Sequence, residues 1–66
     1  MTNKMADKFI NALGGTAEVS RLRKVAQNTV SNWRNRGIPL KHLLPMIAEA
    51  TDREIEVPKT YKDLLP

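Results

Sequence analysis

Gln27, Asn28, Ser31, Asn32 and Asn35 fall on one side of any helix drawn through residues 27–36, because positions three and four apart share a face. A side-chain amide holds a donor and an acceptor side by side, and a hydroxyl serves as either. That pairing matches the neighbouring donor and acceptor on the major-groove edge of adenine. An exposed helix face usually carries Glu, Lys and Arg, whereas Asn and Ser weaken a helix by competing for its backbone groups. This segment therefore gives up helix stability for directional hydrogen bonding. Gln27, Asn28, Ser31 and Asn32 are the candidate base-reading residues, and a merely solvated polar face is the alternative.

The charges around this face have a pattern. Residues 19–48 contain Arg21, Arg23, Lys24, Arg34, Arg36 and Lys41 and no acid at all. Before them Lys4 and Lys8 are balanced by Asp7 and Glu18. After them Glu49, Asp52, Glu54, Glu56 and Asp63 outnumber Arg53, Lys59 and Lys62. The formal net charge of +4 is thus concentrated where the amides are. A basic block of this kind is the footprint of a phosphate-binding surface. Arg21, Arg23, Lys24, Arg34, Arg36 and Lys41 are the candidate backbone contacts, joined by Thr16 at a helix N-terminus.

The elements that must hold these side chains are helical. In residues 3–13, Met5, Phe9, Ala12 and Leu13 form an apolar stripe that Ala6 and Ile10 widen, with Thr2 or Asn3 as cap and Gly14-Gly15 as stop. Residues 16–22 predict a short second helix with Val19 and Leu22 inward. A turn through Arg23-Lys24 leads to the third helix, whose inner side is Ala26, Val30, Trp33 and Gly37. The phase of Trp33 assigns it to the core rather than to a ligand. Two helices joined by three or four residues make a helix-turn-helix unit. Pro39 suits a helix start, and Pro45 predicts a break, with one short turn over 40–44 and a restart running to Ala50. Glu54 to Pro58 alternate as an extended segment does, and Thr60 to Asp63 have capping-box spacing for a last turn. The apolar residues Ile55, Val57, Tyr61, Leu64 and Leu65 are more apolar surface than a tail needs, so they either cover the core or form a dimer surface, with a slight lean to the dimer.

The run GTAEVSRLRKVAQNTVSNWRNRGIP resembles the helix-turn-helix of Cro-type phage repressors and of Cro-like prophage regulators and antitoxins. The resemblance rests on Gly15-Thr16, Val19-Ser20, Val30-Ser31-Asn32-Trp33 and Ile38-Pro39. It extends through residues 44–51 and the closing residues 61–66. It implies an all-α, four- to five-helix, lambda-repressor-like domain with a short extended C-terminal tail. Three positions depart from the family pattern. Lys24 stands where a turn glycine is usual, which implies left-handed strain of about 1 kcal/mol. Arg23 stands where a core leucine is usual, and Ala26 where a capping Ser or Thr is usual.

The resulting expectation is a single domain over residues 1–66, with the helix-turn-helix at 16–36 and the tail at 52–66. The implied function is a sequence-specific transcriptional regulator that binds double-stranded operator DNA as a weak homodimer in a bacterial cytoplasm. An antitoxin or antirepressor acting through protein contacts is the alternative. Sixty-six residues bury only about 60 % of their unfolded surface and leave a marginal core. The chain has no cysteine, and its single histidine, His42, has no partner ligands, so neither a disulfide nor a metal is expected. His42 is expected exposed beside Lys41 or near a phosphate. Catalysis is not expected either, since there is no nucleophile–base pair, no phosphate loop and no wall of paired carboxylates. No cofactor, small-molecule substrate or membrane partner is indicated. No apolar run approaches the roughly 20 residues a membrane span needs, and MTNKMADKF lacks a signal-peptide core.

Overall fold

A computed structural model describes residues 2–66; Met1, where the expected domain begins, lies outside the described residues. Four α-helices follow one another: α1 (Lys4–Ala12), α2 (Thr16–Arg23), α3 (Gln27–Arg36) and α4 (Leu40–Asp52). A 3₁₀ turn, Tyr61–Leu64, closes the chain, and the described residues contain no strand.

Each helix starts and stops for a local reason. Asn3 caps α1, its Oδ1 accepting from the Ala6 amide at 3.0 Å. The Gly15 amide reaches back to the Ile10 carbonyl at 3.0 Å, a closure that needs the positive φ (112°) of Gly14. Lys24 ends α2 in the left-handed conformation (φ 56°, ψ 46°), so the strain expected at this position is present. The Val25 amide donates to the Ser20 carbonyl at 3.0 Å, and the Ser20 hydroxyl donates to the Val25 carbonyl. Ser20 therefore fastens both sides of the turn to one residue, which offsets the missing glycine. The N-caps of α2, α3 and α4 make no side-chain hydrogen bond.

The core is drawn from every element. Ala6, Phe9, Ile10 and Leu13 of the first segment meet Val19, Val30, Trp33, Ile38, Leu43, Met46, Ala50 and Leu64, all buried. The helical phases read from the sequence carry these side chains inward. Ala26 and Ala12 are exceptions and are exposed, and Leu22, expected inward, is only half-buried and outside the core cluster.

Two expectations need correction. Pro45 does not break the fourth segment, and α4 runs without interruption from Leu40 to Asp52. Leu43, Met46 and Ala50 flank the proline on one face and are wholly buried. Their burial holds the helix across a residue that costs about 3 kcal/mol in a helix interior. The C-terminal tail forms no strand and covers the core, the other of its two alternatives, with Tyr61 left exposed. Leu64 is wholly buried, while Ile55, Val57 and Leu65 pack half-buried on the same core. The Leu64 carbonyl accepts from the Ile38 amide at 2.7 Å. The last turn forms without the expected capping box, since Thr60 makes no side-chain cap.

Candidate nucleic-acid interface

α3 turns Val30, Trp33 and Gly37 into the interior and leaves Gln27, Asn28, Ser31, Asn32 and Asn35 exposed. The amide side is thus free to meet a ligand, and only Asn35 bonds back along the helix, weakly, to the Ser31 carbonyl at 3.4 Å. The orientation is fixed from behind. Trp33 is 5 % exposed and Val30 wholly buried, so the helix cannot roll without withdrawing an indole from the core.

The cations divide into two groups. Lys24, Arg36 and Lys41 are exposed, as is Arg21, whose only ionic partner is Glu18 at 3.2 Å on the surface. An exposed pair of this kind is worth about 0–1 kcal/mol and yields readily to a phosphate. Arg34, a candidate backbone contact, is instead held within its own fold. Its Nη1 lies 2.6 Å from Asp7 Oδ1, its Nε donates to Thr16 Oγ1 at 2.9 Å, and its side chain is only 20 % exposed. One guanidinium therefore ties α1, α2 and α3 together, and it occupies the hydroxyl of Thr16. The Asn3 amide adds a bond to the Arg34 carbonyl at 2.9 Å. The sequence gives no periodic signal for this, because Asp7 and Arg34 are far apart in the chain and each reads as ordinary surface charge.

Comparison with family models, curated proteins and solved structures finds no match.

Arg23 is half-buried and donates through Nε to His42 Nδ1 at 3.3 Å. The His42 ring also lies on Trp33, centroids 4.8 Å apart and planes tilted by 38°. Burial, then the charges of Arg23 and Lys41, hold the His42 imidazole below its ordinary pKa. The single histidine is half-buried rather than exposed and bridges α4 to the end of α2 and to the underside of α3.

Other chemistry is sparse. Among the described residues no three His, Asp or Glu side chains gather to hold a metal ion. No helix there is long and apolar enough to cross a membrane. A cleft of about 240 Å³ between α1 and the tail is lined by Met5, Lys8, Phe9, Ala12, Ile55, Glu56 and Pro58. It falls below the roughly 300–1,000 Å³ of small-molecule sites.

Proposed function

We propose that the chain is a Cro-like transcriptional regulator that binds a palindromic operator as a dimer, with α3 in the major groove. The observation that carries this reading is the exposed amide side of α3 beside exposed cations. Gln27, Asn28, Ser31 and Asn32 read base edges, each good bidentate pair discriminating by about 1–3 kcal/mol. Arg21, Lys24, Arg36 and Lys41 neutralise phosphates, and Arg23 joins them beside His42. Arg34 acts from behind, by fixing α3 against α1 and α2.

Four reading side chains cover a short half-site, so useful specificity needs two copies. With the tail folded onto its own core, the large apolar side chains left exposed among the described residues are Leu40, Leu44 and Tyr61. Leu40 and Leu44 lie one turn apart on α4 and supply the pairing surface in this reading. The same pair favours the second reading, an antitoxin or antirepressor whose apolar patch grips another protein.

Selection of bound sites from a random duplex library tests the proposal. The expected product is a two-fold symmetric site with half-sites about 34 Å apart. Enrichment of no sequence, with no gel shift on random DNA at low salt, leaves only the protein-binding module. Asn28→Ala is expected to cost about 1–3 kcal/mol on the selected site and to spare random DNA. Equal loss on both removes Asn28 from the reading set.

A further inference from the structure

The arrangement around His42 has a feature that DNA reading by α3 does not use. Arg23 reaches it from the end of α2, Lys41 precedes it on α4, and Trp33 of α3 covers one face of the ring without adding charge. No carboxylate is among the groups that act on it, and none occurs anywhere in residues 19–48. Arg23 touches the ring and Lys41 lies near enough for its charge to act on it, with no internal counter-charge. The fold pairs Arg34 with Asp7, Arg21 with Glu18 and Arg53 with Glu49, but it gives Arg23 and Lys41 no carboxylate partner among the described residues. Arg23 donates to a neutral imidazole, which relieves the crowding only while Nδ1 stays unprotonated.

We propose that Arg23, Lys41 and His42 form a phosphate-holding site in which His42 takes up a proton as a DNA phosphodiester docks. The proposal rests on the DNA-binding reading and adds a proton to it. The proton passes from solvent to His42 Nδ1. The Arg23 Nε–H leaves that nitrogen and donates to a phosphate oxygen, as does the imidazolium. The anion reverses the electrostatic situation: two cations penalise a third charge, and a phosphate between them rewards it. By linkage, whatever raises the ring's proton affinity on docking tightens docking as the pH falls. His42 is the single histidine of the chain, so the pH range 5.5–7.5 isolates it from other side chains.

The experiment has two arms. In the first, anisotropy with a random-sequence duplex at fixed low ionic strength follows affinity from pH 7.5 to 5.5 for the wild type and His42→Gln. A one-unit rise in the ring's pKa on docking tightens binding by at most about tenfold, a limit reached only below both pKa values. The wild type is expected to tighten several-fold more than His42→Gln. Parallel profiles for the two, or a flat wild type, overturn the proposal. In the second arm, the His42 ring resonances of the wild type are titrated by NMR in inorganic phosphate and in chloride of equal ionic strength. This arm needs no variant, so loss of the Trp33 contact in His42→Gln does not confuse it. Phosphate is expected to raise the midpoint, and equal midpoints overturn the site. A raised midpoint in a chain that binds no DNA keeps the anion site and overturns the DNA reading instead.

Discussion

At the scale of single residues, two side chains carry cost that function has to justify. Lys24 adopts φ 56° where glycine is free to. Replacing it by glycine relieves about 1–2 kcal/mol of left-handed strain, less about 0.4–1 kcal/mol for the looser unfolded chain. Lys24→Gly is therefore expected to raise the denaturation midpoint slightly, while lowering the salt slope of DNA binding by about one. A drop in stability would show that the lysine stem contributes packing that outweighs the strain. His42 is the second case. Burial, then Arg23 and Lys41, put its folded pKa below the ordinary 6.5. Between those two values the unfolded chain binds more protons, so stability present above about pH 6.5 is lost as the pH falls toward the folded value. Chemical denaturation at pH 7.5 and 5.5 is expected to show this decline for the wild type and a smaller one for His42→Gln. Arg34→Ala addresses a different layer. Removing it leaves Asp7 and Thr16 without their partner, at about 1–3 kcal/mol for lost charged hydrogen bonds. Stability is expected to fall while the salt slope stays unchanged. A slope reduced by one at unchanged stability would return Arg34 to the phosphate contacts.

At the scale of elements, what local chemistry decides was legible and what distant burial decides was not. The phases of Phe9, Val30 and Trp33 gave the inward sides of α1 and α3, and Asn3 and the glycines gave the ends of α1. The exposure of Asn28 and Asn32 follows from the same phases. Pro45 was misread because propensity sees the lost hydrogen bond but not the core beneath Leu43 and Met46. In the sequence, the place of the tail stays open between two alternatives for a related reason. Alternation around Ile55 and Val57 signals an apolar side, but nothing local says whether that side meets its own core or another chain. Gly37 holds the answer in retrospect. A Cβ built there would lie 2.5 Å from the Leu65 carbonyl carbon, so the closing backbone passes directly over it. Its φ of 104° adds a second reason for glycine. Gly37→Ala is expected to cost more than the about 1–3 kcal/mol of ordinary overpacking and to release the tail. Hydrogen exchange at the Ile38 amide, now bonded to the Leu64 carbonyl, would report the release. Unchanged protection would mean that the tail shifts instead of leaving.

At the scale of the whole molecule, size and charge constrain how two copies would meet on the proposed operator. The body measures 26 × 23 × 19 Å, and reading helices on consecutive turns of DNA sit about 34 Å apart. Bodies of that length at that spacing are near neighbours, so even a small apolar contact can couple them. Leu40 and Leu44 are each 55 % exposed on α4, which leaves about half of each side chain still to be covered. Two leucines per copy amount to a weak contact, far below the roughly 1,200 Å² of a stable interface. The net charge of +4 on each copy opposes pairing in free solution. On the proposed operator, DNA would remove that opposition by neutralising the cations and would supply the second copy at high local concentration. The chain is therefore expected to be monomeric at micromolar concentration and to bind a two-half-site operator cooperatively. Leu44→Lys is expected to abolish the cooperativity and to leave affinity for a single half-site unchanged or slightly raised by the added charge. Sedimentation of the free protein and titration of one-site and two-site duplexes separate these quantities. Cooperativity that survives Leu44→Lys together with Leu40→Lys would place the contact elsewhere, with Tyr61, at 46 % exposed, the next side chain to change.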